Sequence, residues 1–158
     1  MEPNQIAKNQ EHHGKILLKS SPQIITKENN DTSMSVYVGC LNQETFAQNV
    51  AKIKMAFPEL DISFYKILKA RIIEKGFSDQ RLSDAVNHLI DTCQYPTPTL
   101  ANILSFDKRV KVYSYHDLCT LIGKNEAIWG NYARILVAGK PFFVRKDEKE
   151  MFNIPNEF

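Results

Sequence analysis

The chain lacks most of the features that would announce a chemistry. Its three cysteines, Cys40, Cys93 and Cys119, are too few and too scattered for a disulfide framework, and no paired Cys or His motif offers zinc four ligands. Six glycines are present, yet none builds a Walker loop, a dinucleotide-binding turn or a Gly-x-Ser-x-Gly elbow. These absences argue against nucleotide-driven chemistry, and no cofactor or small-molecule ligand is expected. No apolar run approaches the ~20 residues of a membrane span, and no charged-then-apolar leader opens the chain. A soluble protein of the reducing cytoplasm is expected, with no membrane partner. Charge of one sign is lacking too: 20 Lys and Arg stand against 18 Asp and Glu, so a net +2 gives no global field to gather nucleic acid. Any such partner has to be held by a local patch.

What is present is ordinary globular composition, 43% hydrophobic and 24% charged, enough in 158 residues for one main core with a small appendage. Residues 1–35 are rich in Asn, Gln, Lys, Glu and Ser and read as a flexible N-terminal arm; their apolar clusters are Ile16-Leu-Leu18 and Ile24-Ile25. Residues 34–38 alternate as a short strand or lead into a helix. Residues 36–106 then read as a helical bundle. Phe46, Val50, Ile53 and Phe57 fall at i, i+4, i+7 and i+11 along one helix face, and Pro58 ends that helix. Asp61 caps a second helix running to about Lys75, where Gly76 stops it. Its Phe64, Tyr65, Ile67, Leu68 and Ile72 form a broad apolar arc. Ser78 caps a third helix with the stripe Leu82, Val86, Leu89 and Cys93. Thr97 and Pro98 read as N-cap and first-turn proline of a short fourth helix carrying Leu100, Ile103 and Leu104.

Residues 107–158 change character, to a small α+β unit. Residues 110–113 alternate as a strand, Ser114 caps a helix through Leu121 that Gly123 ends, and a short helix is expected over 126–132. Residues 134–138 and 142–144 flank Gly139-Lys-Pro141 as a hairpin, and Asp147 caps a last helical turn. The fold class is therefore expected to be mainly α: a helical bundle followed by a small α+β unit with a β-hairpin. The order of helix, short helix and hairpin is similar to a winged helix.

Candidate sites have to be weighed against plainer readings. Asp84, His88 and Asp91 set an imidazole between two carboxylates on one helix face, but that face lies opposite the apolar stripe and should meet water, outside any cleft that could tune a pKa. His116 and Cys119 sit on adjacent turns without further ligands, so a buried thiol beside a surface imidazole is the simpler reading. His12-His13 is too small a cluster. No catalytic residue and no metal ligand is assigned, and the chain reads as a binding protein rather than an enzyme. The best chemistry left is cationic. Lys108, Arg109 and Lys111 cluster at the joint, while Arg134, Lys140, Arg145 and Lys146 mark the hairpin and its exit. Such charges hold phosphate, or an acidic protein surface, when they converge; Tyr113, Tyr115 and Phe142 or Phe143 could stack bases beside them. Asp117, Asp147, Glu148 and Glu150 dilute this patch, and a solvated surface is the plainer account. Tyr95, Pro96, Pro98 and Leu100 form a rigid corner suited to docking a protein.

The helical portion, with Phe64-Tyr-Lys-Ile-Leu68, Ala85-Val-Asn-His-Leu-Ile90 and Tyr95-Pro-Thr-Pro-Thr-Leu-Ala-Asn-Ile103, resembles the helical domain of phage helicase loaders and helicase inhibitors over about 60 residues. The resemblance implies a small non-enzymatic accessory protein of DNA replication from a phage or mobile element, docking on a replicative helicase or on DNA. The chain departs from that pattern after Phe106. Two competing expectations are a winged-helix transcriptional regulator on duplex DNA and a protein-protein interaction module without nucleic-acid contact.

Overall fold

The computed structural model describes residues 16–20, 24–26 and 32–158; the rest of the expected arm, including His12 and His13, lies outside the described residues. Local signals place the helices. They are α1 (Gln43–Ala56), α2 (Ile62–Glu74), α3 (Asp79–Thr92), α4 (Leu100–Leu104), α5 (Tyr115–Gly123) and α6 (Lys146–Met151). Asp61 accepts from Ser63 N at 2.7 Å to start α2, Gly76 takes a positive φ of 64° at its end, and Ser78 accepts from Arg81 N to start α3. Four expected boundaries shift. α5 includes Gly123 instead of being ended by it, and the positive φ beyond the helix falls on Asn125 (60°). The cap of α4 is Thr99, not Thr97, because Asn102 Oδ1 reaches back to Thr99 N at 2.8 Å and closes the first turn there. The short helix expected over 126–132 is only a 3₁₀ turn, Trp129–Asn131. Asp147 lies inside the first turn of α6, whose N-cap is Arg145.

Strands account for the larger departure. β1 (Ile16–Ser20) pairs antiparallel with β4 (Gly39–Asn42), and β2 (Ile24–Thr26), β3 (Thr32–Ser35) and β5 (Arg109–Lys111) form a second antiparallel sheet in that order. Three stretches assigned to the arm are thus strands paired with the folded body. The hairpin is β6 (Tyr132–Val137) and β7 (Lys140–Arg145), turned by Ala138 and Gly139 at φ 50° and 74°, the two-residue geometry that suits strand twist. Lys140 and Pro141 therefore belong to the strand. Proline is tolerated because its partner Leu136 directs N–H and C=O the other way, to Asn156 O (2.8 Å) and Phe158 N (2.9 Å). Tyr113 and Phe143 exchange both backbone hydrogen bonds at 2.9 Å, which links β5 to the hairpin.

Among the described residues helix makes up about half and strand about a fifth, so the fold is mixed α+β. Its apolar residues form two cores. In the first, Ile53, Leu68, Ile72, Leu82, Val86 and Ile103 from the helices, with Phe77 from the α2–α3 link, close over Leu41 of β4, so those helices share their core with a strand instead of closing on themselves as a bundle. In the second, Val110, Val112, Ile135, Val137, Val144 and Ile154 pack with Met34, which is fully buried. Burying Met34 stabilises by about 1.5–3 kcal/mol, and that contribution comes from a segment far away in sequence.

A polar joint connects the cores. Asp107 accepts from Ser35 Oγ (2.6 Å) and Arg109 Nη1 (2.7 Å), with Arg81 Nε of α3 at 3.8 Å. Arg81 also donates to Phe106 O at 2.9 Å and lies 4.1 Å over the Phe77 ring. Burial pushes its guanidinium below its ordinary value, opposed by Asp107. Arg81→Ala is expected to cost about 2 kcal/mol, because it strips a charged donor from a half-buried carboxylate and carbonyl. Urea unfolding would show this as a lowered midpoint at unchanged slope.

Candidate nucleic-acid interface

Strand parity decides which side chains face out. On β5 and its extension Val110 and Val112 enter the second core, so Arg109, Lys111 and Tyr113 take the opposite face. On the hairpin Ile135, Val137 and Val144 point inward, which leaves Tyr132, Arg134, Phe143 and Arg145 outward. Register then sets cations beside rings: Arg134 is opposite Phe143, Arg145 is opposite Tyr132, and Phe143 is opposite Tyr113. The row Tyr113, Phe143, Arg134 crosses three strands. Tyr113 meets Tyr132 edge to face at 5.6 Å, and Lys111 Nζ lies 5.8 Å from the Tyr113 ring centroid.

Two further rings stand on Phe143. Tyr115 opens α5 and Trp129 opens the 3₁₀ turn; their centroids lie 6.3 and 5.3 Å from Phe143 and 5.8 Å from each other. Tyr115 is 63% exposed and Trp129 46%, while Phe143 is half-buried beneath them. Local chemistry holds Tyr115 in place. Asp117 N donates to Ser114 Oγ (3.2 Å), and the Ser114 hydroxyl donates to the Asp117 carboxylate (2.6 Å), a capping box that fixes the first turn of α5. A hydrogen bond with the Cys119 side chain raises the Tyr115 phenol above its ordinary value. Asp117 thus closes the capping box of α5.

The seven cations read from the sequence do not converge. Lys111, Arg134 and Arg145 reach the outward face, though Arg145 is bidentate to exposed Asp147 at 2.6 and 3.0 Å. Lys140 and Lys146 are exposed at the two ends of β7, Lys140 beside the turn and Lys146 at the start of α6. Lys108 and Arg109 are engaged elsewhere. Lys108 pairs with Asp84 at 2.9 Å; Arg109 grips Asp107, Ser33 O (2.8 Å) and Ser33 Oγ (3.0 Å). Both serve the joint, because carboxylates from α3 and from the chain just before β5 meet them there. Trp129 and Tyr132 were not singled out from the sequence; the signals were the only tryptophan of the chain and its place three residues before an alternating strand.

The corner divides. Tyr95 is 74% exposed and Pro96 is exposed, but Pro98 is buried and Leu100 packs on the first core, so only the first two can meet a partner. Leu100 also lines an open groove of about 450 Å³ between α2 and α4 with Ile67, Arg71, Lys75, Ala101 and Leu104.

The titratable clusters are tied down. Asp84, expected to face water, is half-buried and accepts from Tyr37 Oη (2.8 Å), Gln80 Nε2 (2.7 Å) and Lys108 Nζ. Asp91 is exposed, and His88 lies 5.0 Å from the Phe106 ring. A notch of about 300 Å³ contains His88, Thr92, Cys93, Tyr95, Asn102 and Ser105, but the polar side chains of Thr92, Cys93, Asn102 and Ser105 are spent on nearby backbone groups. Cys119, expected to be buried, is exposed on α5. No group of three His, Cys, Asp or Glu side chains that could hold a metal comes together among the described residues, and no described helix is long and apolar enough to cross a membrane.

A scan against protein-family models and searches of curated proteins and of solved structures found no match to this chain.

The Asp84 carboxyl is pushed up by burial, but its hydrogen bonds from Lys108, Tyr37 and Gln80 outweigh that and hold it below the ordinary carboxylate value. Its contribution to stability is present above the unfolded value, near pH ~3.9, and is lost as pH falls through the lower folded value. Asp84→Asn is expected to destabilise by about 1 kcal/mol at neutral pH and by less at pH values below that loss, which chemical denaturation at a series of pH values would resolve.

Proposed function

We propose that this chain is a non-enzymatic, cytoplasmic accessory protein of a phage or other mobile element that acts in DNA replication by binding nucleic acid and a protein partner. The observation that carries the nucleic-acid part is the outward sheet face, where Arg134 stands opposite Phe143 with the rings of Tyr113 and Tyr132 on the same face. Phosphate contacts need a cation on the surface that meets the strand, and Arg134 offers one among these rings, whereas Arg145 already pairs with Asp147. The helical half, which carries the resemblance to helicase loaders and inhibitors, presents Tyr95, Pro96 and the α2–α4 groove to a protein, for which the resemblance nominates a replicative helicase. The winged-helix reading has less support. Beside its hairpin the second core has α5 and a three-residue 3₁₀ turn where that architecture needs a helix pair.

Fluorescence anisotropy with labelled DNA oligonucleotides, titrated with salt, tests the proposal. Affinity should fall linearly on a log-log plot, and Arg134→Gln should shallow the slope by about 0.7 on single strands. Lys108→Gln should leave the slope unchanged, since that ammonium is occupied by Asp84. Absence of binding to any oligonucleotide at low salt would sink the nucleic-acid part.

A further inference from the structure

We infer that Trp129 and Tyr115, standing on Phe143, form a base-stacking platform, and that the ligand of this face is single-stranded nucleic acid rather than duplex; the inference rests on the nucleic-acid reading above. Three observations point the same way. First, the rings are large apolar groups left in water. Trp129 and Tyr115 keep 46% and 63% of their surface exposed although they touch each other and Phe143. Second, they are held rigidly by short local devices, the Ser114–Asp117 capping box and the 3₁₀ turn, so little conformational freedom is lost when a planar ligand settles on them. Third, a neighbouring position carries a charge a backbone would meet. Arg134 lies directly across from Phe143 and is exposed.

Duplex DNA hides its base faces, so exposed rings on a sheet gain nothing from it; a single strand exposes them, and every base has a face to stack. The same surface is a poor fit to a groove. Arg134 and Phe143 lie on one pleated face with Tyr115 and Trp129 packed against Phe143, and none of them projects as a reading helix or arm would.

The chain has one tryptophan, and it is in the platform, so tryptophan emission, excited selectively over the tyrosines, reports on this site alone. The wild-type protein would be titrated with oligo(dT), oligo(U), an abasic oligomer of equal length and a mixed-sequence duplex. Oligo(dT) or oligo(U) should quench Trp129 and bind at least about tenfold more tightly than the abasic oligomer and the duplex, and Trp129→Ala or Tyr115→Ala should weaken single-strand binding by about 5- to 150-fold, followed by anisotropy of a labelled strand. Trp129→Phe, which keeps a ring, should retain most of the affinity. Equal affinity for the abasic and base-bearing strands, or preference for duplex, would overturn the stacking platform while leaving the phosphate-binding reading intact. Failure of every probe to bind at low salt would remove both. A preference for oligo(U) over oligo(dT) would keep the platform and overturn the assignment to DNA.

Discussion

The arrangement of this protein depends on the Asp107 carboxylate. It sits between the two cores, 14% exposed, and accepts hydrogen bonds from Ser35 of β3 and from Arg109 of β5 while Arg81 of α3 approaches it at 3.8 Å. A carboxylate this sheltered is tolerated only when its lone pairs are met, so the groups that meet it are held in a fixed relation. Those groups come from three elements that are far apart in sequence. Through them the helical core, the N-terminal strands and the C-terminal sheet are brought together at one place. Asp79 adds a smaller tie of the same kind, accepting from Asn42 N and Asn42 Nδ2 at 2.8 and 2.6 Å to fasten β4 to the start of α3.

That joint also sorts the cations. Lys108 and Arg109 stand next to Lys111 in sequence, yet the first two are drawn to Asp84 and Asp107 while the third turns to the sheet face beside Tyr113. A surface ion pair contributes little to stability, but it does withdraw a charge from other partners. With a net charge of only +2, where each cation is placed by the fold matters more than how many there are. Placing Val110, Val112 and Met34 inward sends alternate residues outward, so the buried core and the exposed face follow from one choice of register.

Helix starts and stops were legible because their signals are local. Asp61, Ser78, Ser114 and Gly76 each act within one turn of themselves, and all four sit where the sequence places them. The strands of residues 16–35 were not legible, because pairing partners lie far away: Ser33 opposes Lys111 and Ser35 opposes Arg109. Within β3, Thr32-Ser-Met-Ser35 offers a single apolar side chain, and polar composition alone reads as an arm. The site was legible by residue type and not by convergence. Tyr113, Tyr115 and Phe143 could be picked out as rings, but Asp84, which removes Lys108, lies 24 residues away on another element. Trp129 gave no periodic signal because a 3₁₀ turn of three residues has no period to read.

The exposed rings require a cause, since a Trp and a Tyr left half in water forgo roughly 25 cal/mol for every Å² not buried. The hairpin could have met α5 through aliphatic residues, as it meets the second core through Ile135, Val137 and Val144. On this side it instead carries rings and cations together, a composition that suits flat, charged polymers. The helical half shows the contrasting economy, with Leu82, Val86 and Leu89 sealed beneath α3 and its polar side chains tied to neighbours. The proposed function therefore gives the two halves different faces, the ring-bearing sheet to nucleic acid and the Tyr95 corner with the α2–α4 groove to protein.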